Sequence, residues 1–506
     1  AALASRVKIA LRLCAALLLA GCARLQPVSL APEFTPPPAE ALVWSEVASA
    51  RDGSWYQLLN TGPAALDWRL HAIDSATESL SFQTFLWHFD TAGSLMLDRL
   101  LAAADRGVRV RVLVDDTFLV HQDRLLLALA EHPNLEYRVY NPFKRRGGGL
   151  ATRQLLNLAE FHRLDHRMHN KAMVVDNRIA IVGGRNIADE YFGLDDEANF
   201  RDLELIAGGD VVQEISEAFD DYWNDRWSFP IDRLSHGQAS MEALNEARSE
   251  GRSSSDLHQE DTPAERLERW LSLAQSAHDG LAELIVDEPA RDNPASPADA
   301  PVAVADRLIE LFDNAEQEIV MVSAYLIPTP ELEGAIERAR ARGVAVRMLT
   351  NSIRSNNHLA AHSAYRNHLE ELLGVGAALH EVRVDANDRP KYMLQPVGSK
   401  ELALHAKALL FDSDKVFIGS ANLDPRSLRI NTEMGLLITS ESLNQQLRRD
   451  LENDFSLANA WRLTLEDNGR VRWTSSEKTL YSQPAGSFMQ RLEDWMLSHL
   501  PLENEM

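Results

Sequence analysis

The chain has 506 residues, a formal net charge of −24 at pH 7, 45% hydrophobic residues and 25% charged residues. This length suits two to four domains, and the composition is that of an ordinary globular protein. The acidic balance argues against a nucleic-acid-binding protein and against electrostatic attachment to anionic lipid, because both depend on Lys and Arg approaching phosphates.

The first predicted element is an export signal over residues 1–21. Three basic residues precede an apolar run at 13–20, which is far shorter than the roughly 20 apolar residues of a spanning helix. The run ends in Leu19-Ala20-Gly21-Cys22, which resembles a bacterial lipobox, where the cysteine becomes the acylated N-terminus. The alternative is a plain signal peptide with a chance cysteine. Both cysteines lie within the first 22 residues, so a mature chain would have no disulfide and no cysteine metal site.

Residues 22–50 are predicted to form a proline-rich tether. Five prolines between residues 26 and 40 favour a stiff, extended chain that holds the first lobe away from a membrane surface. Ala23, and not Asp, follows the cysteine, and the sorting rule of bacterial lipoproteins then indicates the outer membrane. We therefore expect a lipid-anchored protein on the periplasmic side of a bacterial membrane.

Two lobes follow, with the same predicted order of elements. Hydrophobic periodicity predicts helix, strand, helix and strand over 64–76, 80–86, 95–106 and 108–114, and again over 304–315, 319–325, 332–342 and 344–350. Repeated βαβ units indicate an α/β fold with a mostly parallel mixed sheet flanked by helices in each lobe. We place the lobes at 51–235 and 281–506. Residues 236–280 are predicted to be a linker within a poorly packed stretch, 236–300, that holds a helix near 264–277 and a strand near 284–286.

One sequence occurs twice along the chain. His169-Asn-Lys171-Ala-Met-Val-Val-Asp176 matches His405-Ala-Lys407-Ala-Leu-Leu-Phe-Asp412, and Gly183-Gly184-Arg185-Asn186 matches Gly419-Ser420-Ala421-Asn422 at the same offset of 236 residues. One such triplet would equally suit a surface strand with a polar face. Two copies indicate a duplicated domain and a single site built from two halves.

Strand alternation divides each motif between two faces. His169 and Lys171 share one face, as do His405 and Lys407, whereas Asp176 and Asp412 point the other way. Each Asp is then expected at the end of a hairpin, bonded to its own backbone. The return strand would bring Asn186 close to His169 and Asn422 close to His405.

These motifs resemble the phospholipase D superfamily, and over nearly the whole mature chain the likeness is closest to the bacterial cardiolipin synthase C type. It includes Asn141-Pro-Phe143, Asp424-Pro-Arg-Ser427 and Asn431-Thr-Glu433. The resemblance implies two duplicated lobes with one active site at their interface. The implied catalytic set is His169, Lys171, Asp176, His405, Lys407 and Asp412.

The resemblance also implies roles. One histidine would attack phosphorus and carry a covalent intermediate while the other protonates the leaving alcohol. The lysines would neutralise phosphate oxygens, Asn186 and Asn422 would donate hydrogen bonds, and no metal or other cofactor would be needed. The acids that fix the histidine tautomers map onto Asp202 and Glu433. Ser420 replaces Gly184 in the second copy, and its hydroxyl could join the phosphate site.

The expected activity is transfer of a phosphatidyl group between two phospholipids, such as phosphatidylglycerol and phosphatidylethanolamine, to form cardiolipin. Alternatives are hydrolysis by a phospholipase D-type phosphodiesterase or nuclease, and a non-enzymatic envelope lipoprotein. A metal site at His162, His166 and His169 would need a helix across all three, and Lys171 would then stand beside the ion.

Overall fold

The computed structural model describes residues 24–289 and 302–500. The predicted signal peptide and Cys22 lie outside this range. Within it, no helix combines the length and the apolar character needed to cross a bilayer.

The first lobe is built on a nine-stranded sheet of order β10-β1-β8-β6-β5-β2-β3-β4-β9. The strands up to residue 279 are β1 Trp55–Leu59, β2 Ser79–Thr84, β3 Arg109–Asp115, β4 Leu135–Tyr140, β5 Ala172–Val175, β6 Ile179–Gly183, β7 Ala198–Arg201, β8 Glu204–Gly208, β9 Ser228–Pro230 and β10 His278–Asp279. The helices are α1 Leu42–Ala50, α2 Gly62–Ser75, α3 Thr91–Asp105, α4 Asp123–Leu129, α5 Leu150–Leu156, α6 Phe161–Asp165, α7 Asp189–Phe192, α8 Val211–Trp223, α9 Ile231–Leu234, α10 Met241–Ser253 and α11 Pro263–Ser276.

The second lobe has a ten-stranded sheet of order β11-β18-β17-β16-β12-β13-β14-β19-β20-β21. Its strands are β11 Leu281–Val286, β12 Glu318–Ser323, β13 Ala345–Asn351, β14 Ala378–Val382, β15 Glu401–Leu404, β16 Lys407–Phe411, β17 Lys415–Gly419, β18 Met434–Thr439, β19 Ala460–Leu465, β20 Val471–Thr474 and β21 Thr479–Leu480, where β15 lies outside the sheet. Its helices are α12 Ala303–Asn314, α13 Pro330–Ala341, α14 Leu359–Arg366, α15 Leu369–Gly374, α16 Pro425–Arg429, α17 Glu441–Asp454 and α18 Phe488–Leu497.

The α/β class and the duplicated βαβ units are confirmed. The units α2-β2-α3-β3 and α12-β12-α13-β13 follow the predicted order, and Gly107 and Gly343 make the tight turns before β3 and β13 with φ of +97° and +89°. The sheets are mixed, however, and not mostly parallel. Among the described strands, parallel pairing within each sheet is confined to β2-β3-β4 and β12-β13-β14, because every other neighbour comes from a hairpin or a returning strand.

The predicted poor packing of the linker is wrong. Helix α10 packs along α3, and α11 buries Trp270 completely beside Trp44, with ring centroids 5.4 Å apart. The polar composition of the segment does not indicate this packing, because each helix buries only a narrow apolar stripe. Helix α11 begins with a capping box at Thr262. Strand β10 pairs with β1 in the first sheet, and β11 pairs with β18 in the second. Residues 278–286 therefore connect the two sheets.

The proline-rich segment 24–40, which we call the N-terminal arm, is extended but does not stand away from the lobe. The N–H of Val28 donates to Arg226 O at 3.0 Å, and the N–H of Ala39 donates to Asp176 O at 3.0 Å. Between them, the N–H of Thr35 donates to Asp220 Oδ2 at 2.7 Å. The prediction of a spacer is therefore wrong for these residues, because the arm is bound along the surface of the first lobe. Prolines fix the extended form, and the lobe supplies the acceptors and donors that bind it.

The lobes meet along strands as well as side chains. Strand β15 pairs in parallel with β7, and Met168 forms a parallel bridge with Thr432. Apolar residues of β5, β6 and β8 share one core with those of β16, β17 and β18. This interface places the two histidine motifs opposite each other.

Candidate active site

The two histidine segments lie at the lobe boundary, each held by the backbone of the opposite lobe. The N–H of His169 donates to Thr432 O, and the N–H of His405 donates to Arg201 O, each at 2.9 Å. Strands β5 and β16 begin only after these histidines. Residues His169 and His405 are buried, with 8% and 6% of their surface exposed.

The acids that orient the two rings are exchanged between lobes. His169 Nδ1 lies 2.9 Å from both carboxylate oxygens of Glu433, and His405 Nδ1 lies 2.6 Å from Asp202 Oδ2. Neither lobe therefore contains a complete histidine–carboxylate pair from its own residues. An Nδ1–H donated to the carboxylate leaves the Nε2 lone pair free for chemistry.

Two buried lysines contact the histidine segments. Lys171 Nζ donates to His169 O at 2.7 Å, and Lys407 Nζ donates to His405 O. Burial lowers the pKa of Lys171 to about 7, an effect that Glu433 opposes and Lys407 reinforces. Burial likewise lowers the pKa of Lys407 to about 8 against the attraction of Asp202. An anion placed between the ammonium groups would relieve this repulsion, as a phosphate site requires.

Both imidazoles are neutral at pH 7. Burial, reinforced by the nearby lysines, lowers the pKa of His169 to about 4 and that of His405 to about 3. Burial alone would raise the pKa of Asp202 and of Glu433, but the facing ring and lysine hold both below their ordinary values. The arrangement is a neutral imidazole on an ionised carboxylate, which is the nucleophilic state of histidine.

Gly184 and Ser420, equivalent in the repeat, both face an acid. A Cβ atom at Gly184 would lie 2.3 Å from Asp202 Oδ1, so only glycine fits there. The Ser420 hydroxyl donates to Glu433 Oε2 and accepts from Met434 N at 3.0 Å. The hydroxyl predicted for the phosphate site therefore orients the carboxylate behind His169.

The asparagines of the repeat are buried. Asn186 Nδ2 donates to Tyr191 OH at 2.9 Å, and the Tyr191 ring stands edge-on to His405 with centroids 4.9 Å apart. Through Tyr191, Asn186 is connected to the histidine of the second motif. The amide oxygens of Asn186 and Asn422 have no hydrogen-bond partner among the residues described.

Asp176 and Asp412 close the hairpins, on the side of the strands predicted from alternation. Asp176 accepts the N–H groups of Thr77, Glu78 and Ser79 at 2.8 to 2.9 Å and the Trp44 Nε1–H at 2.6 Å. Asp412 accepts the N–H groups of residues 316–318 at the start of β12. Their assignment to the catalytic set is corrected, since they bind the neighbouring strand and not the reaction centre. Nor do they bond their own backbone as predicted.

Sequence reasoning missed several residues of the site. The rings of Phe85 and Phe200 contact His169 and His405, with centroids 4.9 and 5.2 Å apart. Asp287, at the end of β11, accepts the backbone N–H of Glu433 at 2.9 Å. A single Phe or an isolated Asp outside the repeated motifs carries no signal in the sequence that would mark it as part of the site.

The alternative metal site does not form. Helix α6 ends at Asp165, so His162 is separated from the extended segment that carries His169. His166 Nδ1 lies 2.7 Å from Ile430 O, and His169 binds Glu433.

Comparison with known proteins matches both lobes to one family. The family model described as "Cardiolipin synthase, PLD-like domain" matches residues 70–223 and 308–455, one match in each lobe. Cardiolipin synthase C of Escherichia coli K12 is 33% identical over 455 residues, which cover 86% of this chain and 92% of that protein. Cardiolipin synthase B of Salmonella typhimurium is 26% identical over 79% of this chain and 80% of its own.

A solved structure shares the fold. The phosphatidylserine synthase of Haemophilus influenzae Rd KW20 superposes with a TM-score of 0.52 at 15% identity, covering 79% of this chain and 85% of that one. The chain therefore belongs to the phospholipase D superfamily, and within it to the phosphatidyltransferase family of the cardiolipin synthases.

Proposed function

We propose that this protein forms cardiolipin by transferring a phosphatidyl group from one phospholipid to the glycerol hydroxyl of another, through a phosphohistidine. The crossed histidine–carboxylate pairs carry the proposal, because they provide two rings of matched orientation beside two ammonium groups. The similarity to cardiolipin synthase C supports the choice of lipid substrates.

The chemistry proceeds in two displacements. Binding of the anionic phosphodiester would raise the pKa of the second histidine, which takes up a proton from solvent at Nε2. Nε2 of the first histidine then attacks phosphorus, the bond from phosphorus to the headgroup oxygen breaks, and the second histidine gives its Nε2 proton to the departing alcohol. That second ring then takes the proton of the incoming glycerol hydroxyl, which attacks phosphorus as the phosphorus–nitrogen bond breaks. Lys171 and Lys407 would stabilise the charge on the phosphoryl oxygens in both steps.

Transfer prevails over hydrolysis only if water is kept from the intermediate. Phe85, Tyr191 and Phe200 pack around the histidines, which are almost fully buried. A dry site favours whichever hydroxyl is bound and oriented, so the second lipid competes well against water.

The test is product analysis with purified protein and phosphatidylglycerol, with and without phosphatidylethanolamine. Cardiolipin from phosphatidylglycerol alone would indicate a symmetric reaction, and cardiolipin formed only from the mixture would indicate a mixed donor and acceptor pair. Phosphatidic acid as the sole product would identify a hydrolase and refute the synthase. His169→Ala and His405→Ala should each remove activity, and the double variant should lose no more, because both act in one catalytic unit.

We also propose that the protein is anchored through Cys22 on the periplasmic side of the outer membrane. The lipobox-like segment and Ala23 support this placement. Membrane fractionation of the wild type and of Cys22→Ser tests it: the variant should leave the membrane fraction or remain unprocessed. Recovery of the wild type in the inner membrane would contradict the outer-membrane assignment.

A further inference from the structure

Helix α18 presents its apolar side outward. Phe488, Met489, Trp495 and Met496 are between 51% and 74% exposed, whereas Asp494 is 1% exposed and binds Ser363 Oγ and Arg366 at 2.9 and 3.1 Å. A surface helix normally buries its apolar stripe and exposes its charges. We call the four exposed residues the second-lobe patch.

The helix that carries the second-lobe patch contacts a loop that leads to the active site. Gln490 of α18 donates to Ile353 O in the loop that follows β13. The same loop begins at Asn351, whose side chain bonds both the N–H and the carbonyl of Leu404 at 2.8 Å, immediately before His405. Residues 351–353 therefore connect the helix to the residue before His405.

A second group of exposed apolar residues, in the first lobe, is connected to the loop that follows β3. Leu155, Leu158 and Phe161 are 50% to 67% exposed, and we call them the first-lobe patch. Arg153 ties this segment to residues 116–119, which follow β3, the counterpart of β13. Phe118 then contacts Phe85, the ring beside His169.

The N-terminal arm begins at the first-lobe patch. Leu25 N–H donates to Glu160 at 3.1 Å, between Leu158 and Phe161, and Lys144 Nζ donates to Arg24 O at 3.3 Å. Two residues of chain connect Arg24 to Cys22, and two residues span at most about 7 Å. An acyl group on Cys22 would enter a bilayer next to the patch.

We propose that the two patches form one membrane-docking face, which seats the mouth of the active site on the lipid bilayer. The proposal rests on the proposed function and deepens it, since lipid substrates would enter the site without leaving the membrane. The net charge of −24 opposes adsorption to anionic headgroups, so apolar insertion next to the acyl anchor holds the face in place.

Tryptophan quenching by lipids brominated on their acyl chains tests this face directly. Trp495 is the one tryptophan of the ten that is more than half exposed, and all ten lie in the described residues. The anchored protein in vesicles of phosphatidylglycerol and phosphatidylethanolamine should be quenched, and Trp495→Phe should remove that quenching. Trp68→Phe, at a half-buried ring, is the matched control and should leave it unchanged.

A reporter tests the first-lobe patch in the Trp495→Phe background. Leu155→Trp should restore quenching, whereas Leu281→Trp should not. Leu281 is 80% exposed but pairs with Thr439, at the far end of β18 from Glu433. Absence of quenching at both residues 155 and 495, or equal quenching at residue 281, would overturn the proposal. If the protein shows no quenching and instead associates with itself through Trp495 as its concentration rises, the face binds a second copy of the chain. That result would also overturn the proposal.

Turnover measured on vesicles and in detergent micelles distinguishes a failure of the docking face from a failure of the proposed function. Leu155→Glu combined with Phe488→Glu should lower turnover on vesicles about tenfold or more, with turnover in detergent–lipid micelles unchanged. Leu42→Glu combined with Leu281→Glu, at exposed residues away from both patches, should match the wild type in both assays. If the wild type makes no lipid product in micelles while quenching persists, the function fails and the docking face stands. Equal vesicle turnover of patch and control variants would count against docking.

Discussion

Asp202 and Glu433 bind the two histidines with side chains of different length. The residue that faces the acid also differs, since it is Gly184 at Asp202 and Ser420 at Glu433. Glycine is required at residue 184 because Asp202 occupies the space of a Cβ atom, while Ser420 fills the corresponding place and binds Glu433. The asymmetry between the halves thus lies behind the histidines and not among the groups that would meet phosphate. Both rings keep the same Nδ1 contact despite it.

The crossed pairing gives the first prediction. In Asp202→Asn the amide oxygen can still accept from Nδ1–H of His405, but it cannot stabilise the imidazolium, so we expect kcat to fall about 10²- to 10⁴-fold. Ring NMR signals of His405 should change more than those of His169. Glu433→Gln should show the reverse pattern. A perturbation of the histidine in the same lobe as the altered acid would contradict the crossing.

The second prediction concerns pH. The pKa of Lys171 is about 7 and that of Lys407 about 8, so raising the pH through this range removes the ammonium charges that attract an anion. Affinity for dimethyl phosphate, which carries one negative charge throughout, should therefore fall as the pH rises and level off below pH 7. The bound anion raises the pKa of the lysines in the complex, so the fall in affinity extends to higher pH. Calorimetric titration measures it, and affinity that rises with pH would refute the assignment.

At the scale of elements, the two hairpin aspartates contribute to the stability of the fold and not to the reaction, and they differ in burial. Asp176 is 1% exposed and accepts three backbone N–H groups and the Trp44 indole, whereas Asp412 is partly exposed and accepts three backbone N–H groups that are exposed or half-buried. Each buried donor left without a partner costs about 1–3 kcal/mol.

The third prediction follows from this contrast. Asp176→Ala should lower the free energy of unfolding by on the order of 3 kcal/mol or more, and Asp412→Ala by about 1 kcal/mol, because water can replace the lost partner only at the exposed turn. Urea unfolding measures both values. Activity per folded molecule should remain close to that of the wild type in each variant, and a large fall in kcat without loss of stability would return the aspartates to the reaction centre.

The sequence predicted the elements of each lobe better than the contacts between lobes. Alternation placed His169 with Lys171 and excluded Asp176 from their face, because the period of a strand is a local property. The bond from Glu433 to His169 spans 264 residues, and no local pattern encodes it. The arm was misread for the same reason, since proline predicts an extended chain but not the surface that binds it.

For the whole molecule, strand pairing and buried ion pairs join the lobes. Besides β7 and β15, Arg201 of the first lobe binds Asp454 of the second at 3.0 Å, and both side chains are buried. Interfaces that share a core and backbone hydrogen bonds usually unfold together. The two lobes are therefore expected to behave as one cooperative unit.

The fourth prediction is a single unfolding transition in calorimetry. Asp454→Asn should lower stability by about 3–5 kcal/mol, because it leaves the guanidinium of Arg201 buried without its counter-charge, and the transition should stay single. Asp313→Asn, which breaks an exposed pair with Arg338 inside the second lobe, should cost about 0–1 kcal/mol. Two resolved transitions in the wild type would show that the lobes fold independently.

The exchange of acids between lobes also bears on descent. A single ancestral lobe with this geometry would have lacked a partner for its own histidine, and it could have supplied one only to a second copy across a two-fold axis. The two lobes of this polypeptide thus have the arrangement that two copies of one lobe would need in order to complete each other. Because both copies lie in one chain, each can differ from the other, as Gly184 with Asp202 differs from Ser420 with Glu433.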